Sequence, residues 1–304
     1  DGVRLPYLDR IVYLIVADHN MAVLKFRAGE LDMVSISGQD YPILKPLEKR
    51  LNFTIHILGP SLGEEFIAFN QSIRAPIPPE RKAWFRNPSF RRAVAYLLDR
   101  PSMIANVYGG LAVAQDGPMS ESAGFFYNRA VMRYPYNPEE ALRILRESGF
   151  TLHNGRLYDT KGHAVHFSLL VNSNNNERIQ IANIVQNDLS RAGMSVHLLV
   201  VDFNTLVTKI SANGDWEAVM IGLTGGIEPH AGRNVWHSSG QLHMWNLRPG
   251  DAITPWEQEI DRIFDRGARE LDPARRKALY DRWQEIAAEQ LPLIHTVNPL
   301  VVTA

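Results

Sequence analysis

The apolar positions of this 304-residue chain change period several times, and each change predicts an element. Residues 7–16, YLDRIVYLIV, read as a strand, His19 to Glu30 as a helix, and Leu31 to Ile36 as a short strand. Tyr41 to Leu51 is helical in pattern, Phe53 to Ile57 alternates, and Glu65 to Asn70 is a further strand. The Pro- and Arg-rich stretch SIRAPIPPERKAWFRNP then reads as a connector. Asn87 caps and Pro88 opens the next helix, whose apolar face is Phe90, Ala93, Val94, Leu97 and Leu98. Arg91 and Arg92 lie off that face and are expected in solvent. A second helix from Pro101 carries Met103, Ile104, Val107 and Tyr108 and stops at Gly109-Gly110.

From residue 137 the pattern alternates between helix and strand. Asn137 caps, Pro138 follows, Glu139 and Glu140 sit at the positive helix end, and Gly149 ends the helix. Asn154-Gly155 and Lys161-Gly162 are turn signals for a small hairpin. Strands at 165–171, 196–201 and 218–223 are separated by helices at 178–192 and 202–212. Connections of that length suit parallel strands, so this block predicts β–α–β–α–β in one sheet. Helices are expected from Pro255 to Arg269 and from Pro273 to Gln290, with Trp283, Ile286 and Ala287 in the core. The final segment reads as a strand pair broken by Asn298-Pro299.

Composition narrows the function classes. The chain is 45% hydrophobic and 21% charged, with a formal net charge of −1. That balance argues against a nucleic-acid surface or a polybasic membrane patch. No apolar run approaches the ~20 residues needed to span a bilayer. With no cysteine, disulfides, thiolate nucleophiles and Cys-ligated zinc are excluded. The length exceeds one typical core and predicts two domains.

The wording of FRNPSFRRAVAYLLDRPSMIANVYGG, residues 85–110, adds a resemblance. It is similar to the second-lobe entry of extracellular solute-binding protein family 5, the dipeptide- and oligopeptide-binding proteins of ABC transporters. LPYLDRIVYLIVADHNMAVLKFRAGELDMV, YNPEEALRILRESGF and LLVNSNNNERIQIANIVQNDLSRAGMSVHL resemble the family in the same order. The resemblance covers essentially the whole chain. It implies the C-terminal part of a longer precursor and an α/β, periplasmic-binding-protein-like (class II) fold: mainly the second lobe plus a portion of the first. On that basis residues 1–70 belong to the first lobe, 71–291 form the second, and 292–304 return to the first. The implied role is capture of a small solute between lobes that close about a hinge. Delivery to ABC permease subunits, in the periplasm or at the cell exterior, follows from the same resemblance, with lipid anchoring as a further possibility.

Ligands of open α/β sheets bind outside the carboxyl ends of parallel strands. The loop 224–246, TGGIEPHAGRNVWHSSGQLHMWN, follows the third strand. Its candidate ligand residues are Gly225, Gly226, Glu228, His230, Arg233, Trp236 and Trp245. The competing reading is a surface loop whose tryptophans cover the core; the resemblance favours ligand contact, with Trp236 or Trp245 facing the cleft. Peptide binders of the family place an aspartate here for the ligand's α-ammonium. Counted back from Glu228-Pro229, that position is Gly225, which puts a free peptide N-terminus in doubt. Glu228 is the nearest alternative acid.

His230, His237 and His243, supported only by Glu228 and Asp251, match no standard metal spacing. They are expected as exposed loop histidines. No metal or cofactor is expected, and no phosphate-loop, G-x-S-x-G or H-E-x-x-H motif occurs. The expected protein is therefore not an enzyme. Alternatives are the sensing domain of a regulator, or a sugar, opine or metal-chelate binder of the same fold.

Overall fold

In the computed structural model, residues 4–16, 18–247 and 253–304 are described. The chain forms two units that part between Leu58 and Gly59 and between Val301 and Val302.

In the smaller unit, Asp18 accepts the Met21 N–H and opens α1 (His19–Arg27). Phe26 packs edge-on against Phe53, with centroids 5.0 Å apart. α2 (Tyr41–Leu44) and α3 (Glu48–Leu51) are joined by a 3-10 turn, and β1 (His56–Pro60) follows. The Val34 and Ile36 N–H groups donate to Ala304 and Val302 carbonyls. The ladder expected over 31–36 is reduced to one bridge, Ser35 to Thr303. Residues 7–16 are not a strand either; Tyr13 is 85% and Ile15 95% exposed. Apolar alternation makes a strand only where a neighbouring edge takes up its N–H and C=O groups. No described segment does so here.

The larger unit continues with β2 (Glu64–Phe69), α4 (Pro79–Arg86), α5 (Pro88–Leu97), α6 (Arg100–Tyr108) and β3 (Ala112–Ala114). Next come α7 (Pro138–Glu147), the hairpin β4 (Thr151–His153) and β5 (Arg156–Tyr158), β6 (His166–Asn172), α8 (Asn176–Arg191) and β7 (Ser195–Val201). α9 (Phe203–Thr208), β8 (Ala218–Leu223), α10 (Arg233–Trp236), α11 (Pro255–Gly267), α12 (Pro273–Gln290), β9 (Leu293–His295) and β10 (Val297–Thr303), whose last two residues belong to the smaller unit, complete it. Side-chain caps set the helix starts: Asn87, Asp99, Asn137, Asn175, Asp202 and Asp272 each accept a first-turn N–H. Thr254 and Glu257 form a full capping box on α11.

The central sheet has the order β7-β6-β8-β2-β9. β6 runs parallel to β7 and β8, as the crossover helices α8 and α9 require, while β2 is antiparallel to β8 and β9. Side chains alternate between two cores. Ile67 and Phe69 of β2 face the α5, α6 and α8 side with Leu169 and Val171. Phe66 and Ala68 face the α11 and α12 side with Leu170, Val219 and Ile221.

Two expectations are corrected here. Around residues 70 and 291, where lobe divisions were expected, β2 has ladder partners on both sides and β9 is its neighbour. Both strands are integral to the larger unit. At the C-terminus β10 runs through Asn298-Pro299 in register with β3, and the break falls at Thr296. Pro299 lacks an N–H, yet its carbonyl still accepts from Ser61. Arg91 is not in solvent: it is 1% exposed and donates to the Phe85 and Gln290 carbonyls. Arg92 donates to Glu289 O, so the pair ties down the carbonyl end of α12.

Candidate ligand-binding site

The parallel strands end at Asn172, Val201 and Leu223. The antiparallel register brings the start of β2 and the end of β9 to the same edge: Glu64 lies opposite Leu223, and Phe66 opposite His295. An ion pair and a histidine–carboxylate contact gather there. Arg178, in the first turn of α8, donates from Nε to Glu65 Oε1 at 2.6 Å and from Nη1 to Asn172 Oδ1 at 2.6 Å. His295 Nε2 lies 2.7 Å from Glu64 Oε2. The Tyr108 hydroxyl reaches Glu65 Oε2 at 3.5 Å, and burial, reinforced by the Glu65 charge, pushes its pKa up. Buried pairs of this kind give little net stability and are costly to break, so they hold charged groups in place.

None of these residues was singled out in the sequence. The signal was present as polar residues at the carboxyl edge of an otherwise apolar sheet: Glu64-Glu65, Asn172 and His295.

The loop after β8 does not gather its candidate residues into one site. Gly225 lies against the Leu62 backbone, while Gly226 has open space. Glu228 is taken up by Arg276, whose Nη1 and Nη2 donate at 2.7 and 2.6 Å. Burial pushes the Glu228 carboxyl up, but the Arg276 and His230 N–H bonds outweigh it and leave the pKa lowered. His230 Nδ1 lies 3.0 Å from the Tyr280 hydroxyl, and Arg276 stacks over Phe126 and Tyr280. Arg233 meets Asp265 at 3.4 Å. Glu228 is therefore already neutralised as a partner for a ligand ammonium.

Trp236 and Trp245 are 2% and 0% exposed. They pack on each other, and Trp236 on Trp283, with centroids 5.4 and 5.3 Å apart. The core reading holds for both, because the apolar side of β8, α11 and α12 takes them up. His243 is also buried, between the Val235 carbonyl at 3.0 Å and Glu257 at 3.1 Å, which corrects its expected exposure. His237 lies 3.6 Å from Asp261 and from Asp265. Asp251 falls outside the described residues. Among the described residues no group of three or more metal-ligating side chains is assembled, and no helix is long and apolar enough to cross a membrane.

The chain and its fold have counterparts among known proteins. The family described as bacterial extracellular solute-binding proteins, family 5 (middle region), matches residues 1–243. The chain belongs to this family. A probable ABC transporter-binding protein of Deinococcus radiodurans is 29% identical over 96% of this chain and 52% of its own length. The oligopeptide-binding protein AppA of Bacillus subtilis, solved with a nonapeptide, superposes with a TM-score of 0.74 at 24% identity. That match covers 95% of this chain and 54% of AppA. MelB of Agrobacterium fabrum, solved with stachyose, gives 0.79 at 21% identity, covering 95% and 46%. The α/β, periplasmic-binding-protein-like fold expected from the sequence is thus the one found. The chain spans about half the length of the curated relatives it matches.

Proposed function

We propose that this chain belongs to the substrate-binding component of an ABC importer. It captures a peptide or related small polar solute and hands it unchanged to permease subunits, in the periplasm or at the cell exterior. The observation that carries this reading is the ordered polar edge of the central sheet. Glu64–His295 and Glu65–Arg178–Asn172 stand where the strand topology opens a ligand site. Family membership supports the same role.

The ligand group lying on this edge is hydrogen-bonding but not a free ammonium. Each nearby acid already has a partner, Glu64 with His295, Glu65 with Arg178 and Glu228 with Arg276, and Gly225 leaves no room for another. Ligand chemistry in the related structures ranges from a nonapeptide to stachyose.

Native mass spectrometry of the purified protein tests the reading. A small molecule released by denaturation with unchanged mass on re-addition is expected. Its retention should fall at least tenfold in Arg178→Gln, and Arg233→Gln serves as the surface control. Retention untouched in Arg178→Gln moves the site elsewhere, and chemical turnover of the molecule overturns the binding-protein reading.

A further inference from the structure

The opposite edge of the same sheet carries a second feature that the solute site does not use. β2 ends there at Phe69, opposite the start of β8, and the chain continues into Gln71. The Gln71 backbone N–H donates to Trp245 O at 2.8 Å. Gln71 lines a cavity of about 260 Å³ with Arg86, Trp256, Asn246, Glu257 and Gln290. It is only 8% exposed, and its Nε2 has no hydrogen-bond partner among the described residues. A buried amide left unpaired is costly, so an occupant offering an acceptor is favoured.

The rest of the wall also offers donors. Arg86 ends α4, is exposed, and among the described residues its side chain makes one long hydrogen bond, from Nη1 to Gln71 O at 3.5 Å. Most of its guanidinium is uncommitted. α11, thirteen residues long, begins at this wall with Pro255 and Trp256. Its positive end and the first-turn N–H of Trp256, which has no acceptor within the helix, add to the same field.

Arg91 contributes a second cation, this one buried, its donors held by the Phe85 and Gln290 carbonyls. Among the described residues Glu257 is the one carboxylate in the lining, and its oxygens are committed. His243, Trp245 and Asn246 approach Oε1, and the Thr254 N–H and hydroxyl donate to Oε2. What remains free is a set of donors beside two guanidiniums.

We propose that this cavity is a site for a small oxyanion, a carboxylate or phosphate group, separate from the solute site. The oxyanion accepts from Gln71 Nε2 and the Arg86 guanidinium. Both chemistries fit the donors, and the experiment distinguishes them.

Thermal unfolding and calorimetry of the purified chain are run with sodium phosphate, sodium acetate and sodium chloride at matched ionic strength. Saturable stabilisation by phosphate or by acetate over chloride is expected, and the more effective of the two names the occupant. Arg86→Gln, a change at an exposed position, should weaken that anion's binding at least tenfold. Gln71→Leu should remove the anion dependence while leaving the anion-free protein no less stable, because it deletes an unpaired buried amide. Equal unfolding midpoints in all three salts overturn the proposal. So does an anion effect of the same size in Arg86→Gln and Gln71→Leu, which would place the binding elsewhere. The solute retention read by mass spectrometry is a separate measurement and stands or falls independently.

Discussion

Gly225 sits against Leu62 with no room between them for a side chain: a Cβ placed on Gly225 would fall inside the carbonyl group of Leu62. The absence of an acid at this position is therefore built into the backbone path and is not a local vacancy that one substitution refills. Gly225→Ala is expected to lower stability by about 1–3 kcal/mol, the usual range for overpacking. Gly225→Asp should cost at least as much without creating affinity for an ammonium. Gly226→Ala is the control, since the nearest atom to its Cβ is Glu228 N at 4.0 Å, and should stay within about 0.5 kcal/mol. Urea titrations of the three variants measure this, and a fully stable Gly225→Asp protein would show that the Leu62 segment moves freely.

Trp236 tests the core reading of the loop. Its ring is packed on Trp245 and Trp283, so Trp236→Ala should cost about 3–5 kcal/mol, as large aromatic truncations in cores do. Acrylamide should quench Trp236 and Trp245 fluorescence poorly in the native protein. A Trp236→Ala protein of unchanged stability that no longer retains solute would return this residue to the ligand site.

Local signals were legible because local physics sets them. Asn87 and Asn137 begin helices where side-chain caps predict, and the parallel strand triplet follows from apolar runs joined by helix-length connections. Residues 7–16 show the limit of that reading, since alternation marks a face but not a hydrogen-bonding neighbour. The membership of β2 in the central sheet was likewise illegible, because its partners lie 149 to 159 residues away at β8 and more than 220 away at β9. The partners of the candidate residues in the loop were illegible for a related reason. Trp236 and Glu228 are types that recognise ligands, but whether they do depends on what stands opposite them, here Trp283 and Arg276. The Glu65–Arg178 pair joins residues 113 positions apart and has no sequence spacing to betray it.

Asp188 carries a cost at neutral pH. It is 4% exposed on α8, where burial pushes its carboxyl up to about 6; the Asp99 N–H donated at 3.0 Å only partly offsets this. A folded-state pKa above the ordinary 3.8 means that ionisation opposes folding above about pH 6, and that the penalty disappears below about pH 3.8. Asp188→Asn keeps an oxygen to accept the Asp99 N–H and removes the charge. It should raise stability by roughly 1–3 kcal/mol at pH 7.5 and leave it unchanged near pH 3.5. Unfolding midpoints at the two pH values check this, and a variant less stable at pH 7.5 would show that the carboxylate has a partner it depends on.

Glu257 has the opposite sign. Burial pushes its carboxyl up, but the His243 bond, the Thr254 N–H and hydroxyl, and the His243 charge outweigh that and hold it at about 2. A folded-state pKa below the ordinary 4.5 contributes stability that is fully present above about pH 4.5. It is lost as pH falls toward 2. The difference corresponds to roughly 3 kcal/mol, and removing one partner of a buried pair costs about 3–5 kcal/mol. Glu257→Gln should therefore destabilise the protein by that amount at pH 7, because it removes the buried charge and replaces one of the two acceptor oxygens, which serve His243 and Trp245 on one side and the α11 capping box on the other, with an N–H donor. The gap to the parent protein should narrow steadily between pH 4.5 and pH 2, where the parent's own carboxyl becomes protonated. Urea unfolding across that range reads the gap directly. A gap that stays constant with pH would mean that Glu257 acts through its shape and neutral hydrogen bonds, and that its charge contributes nothing to holding the loop on α11.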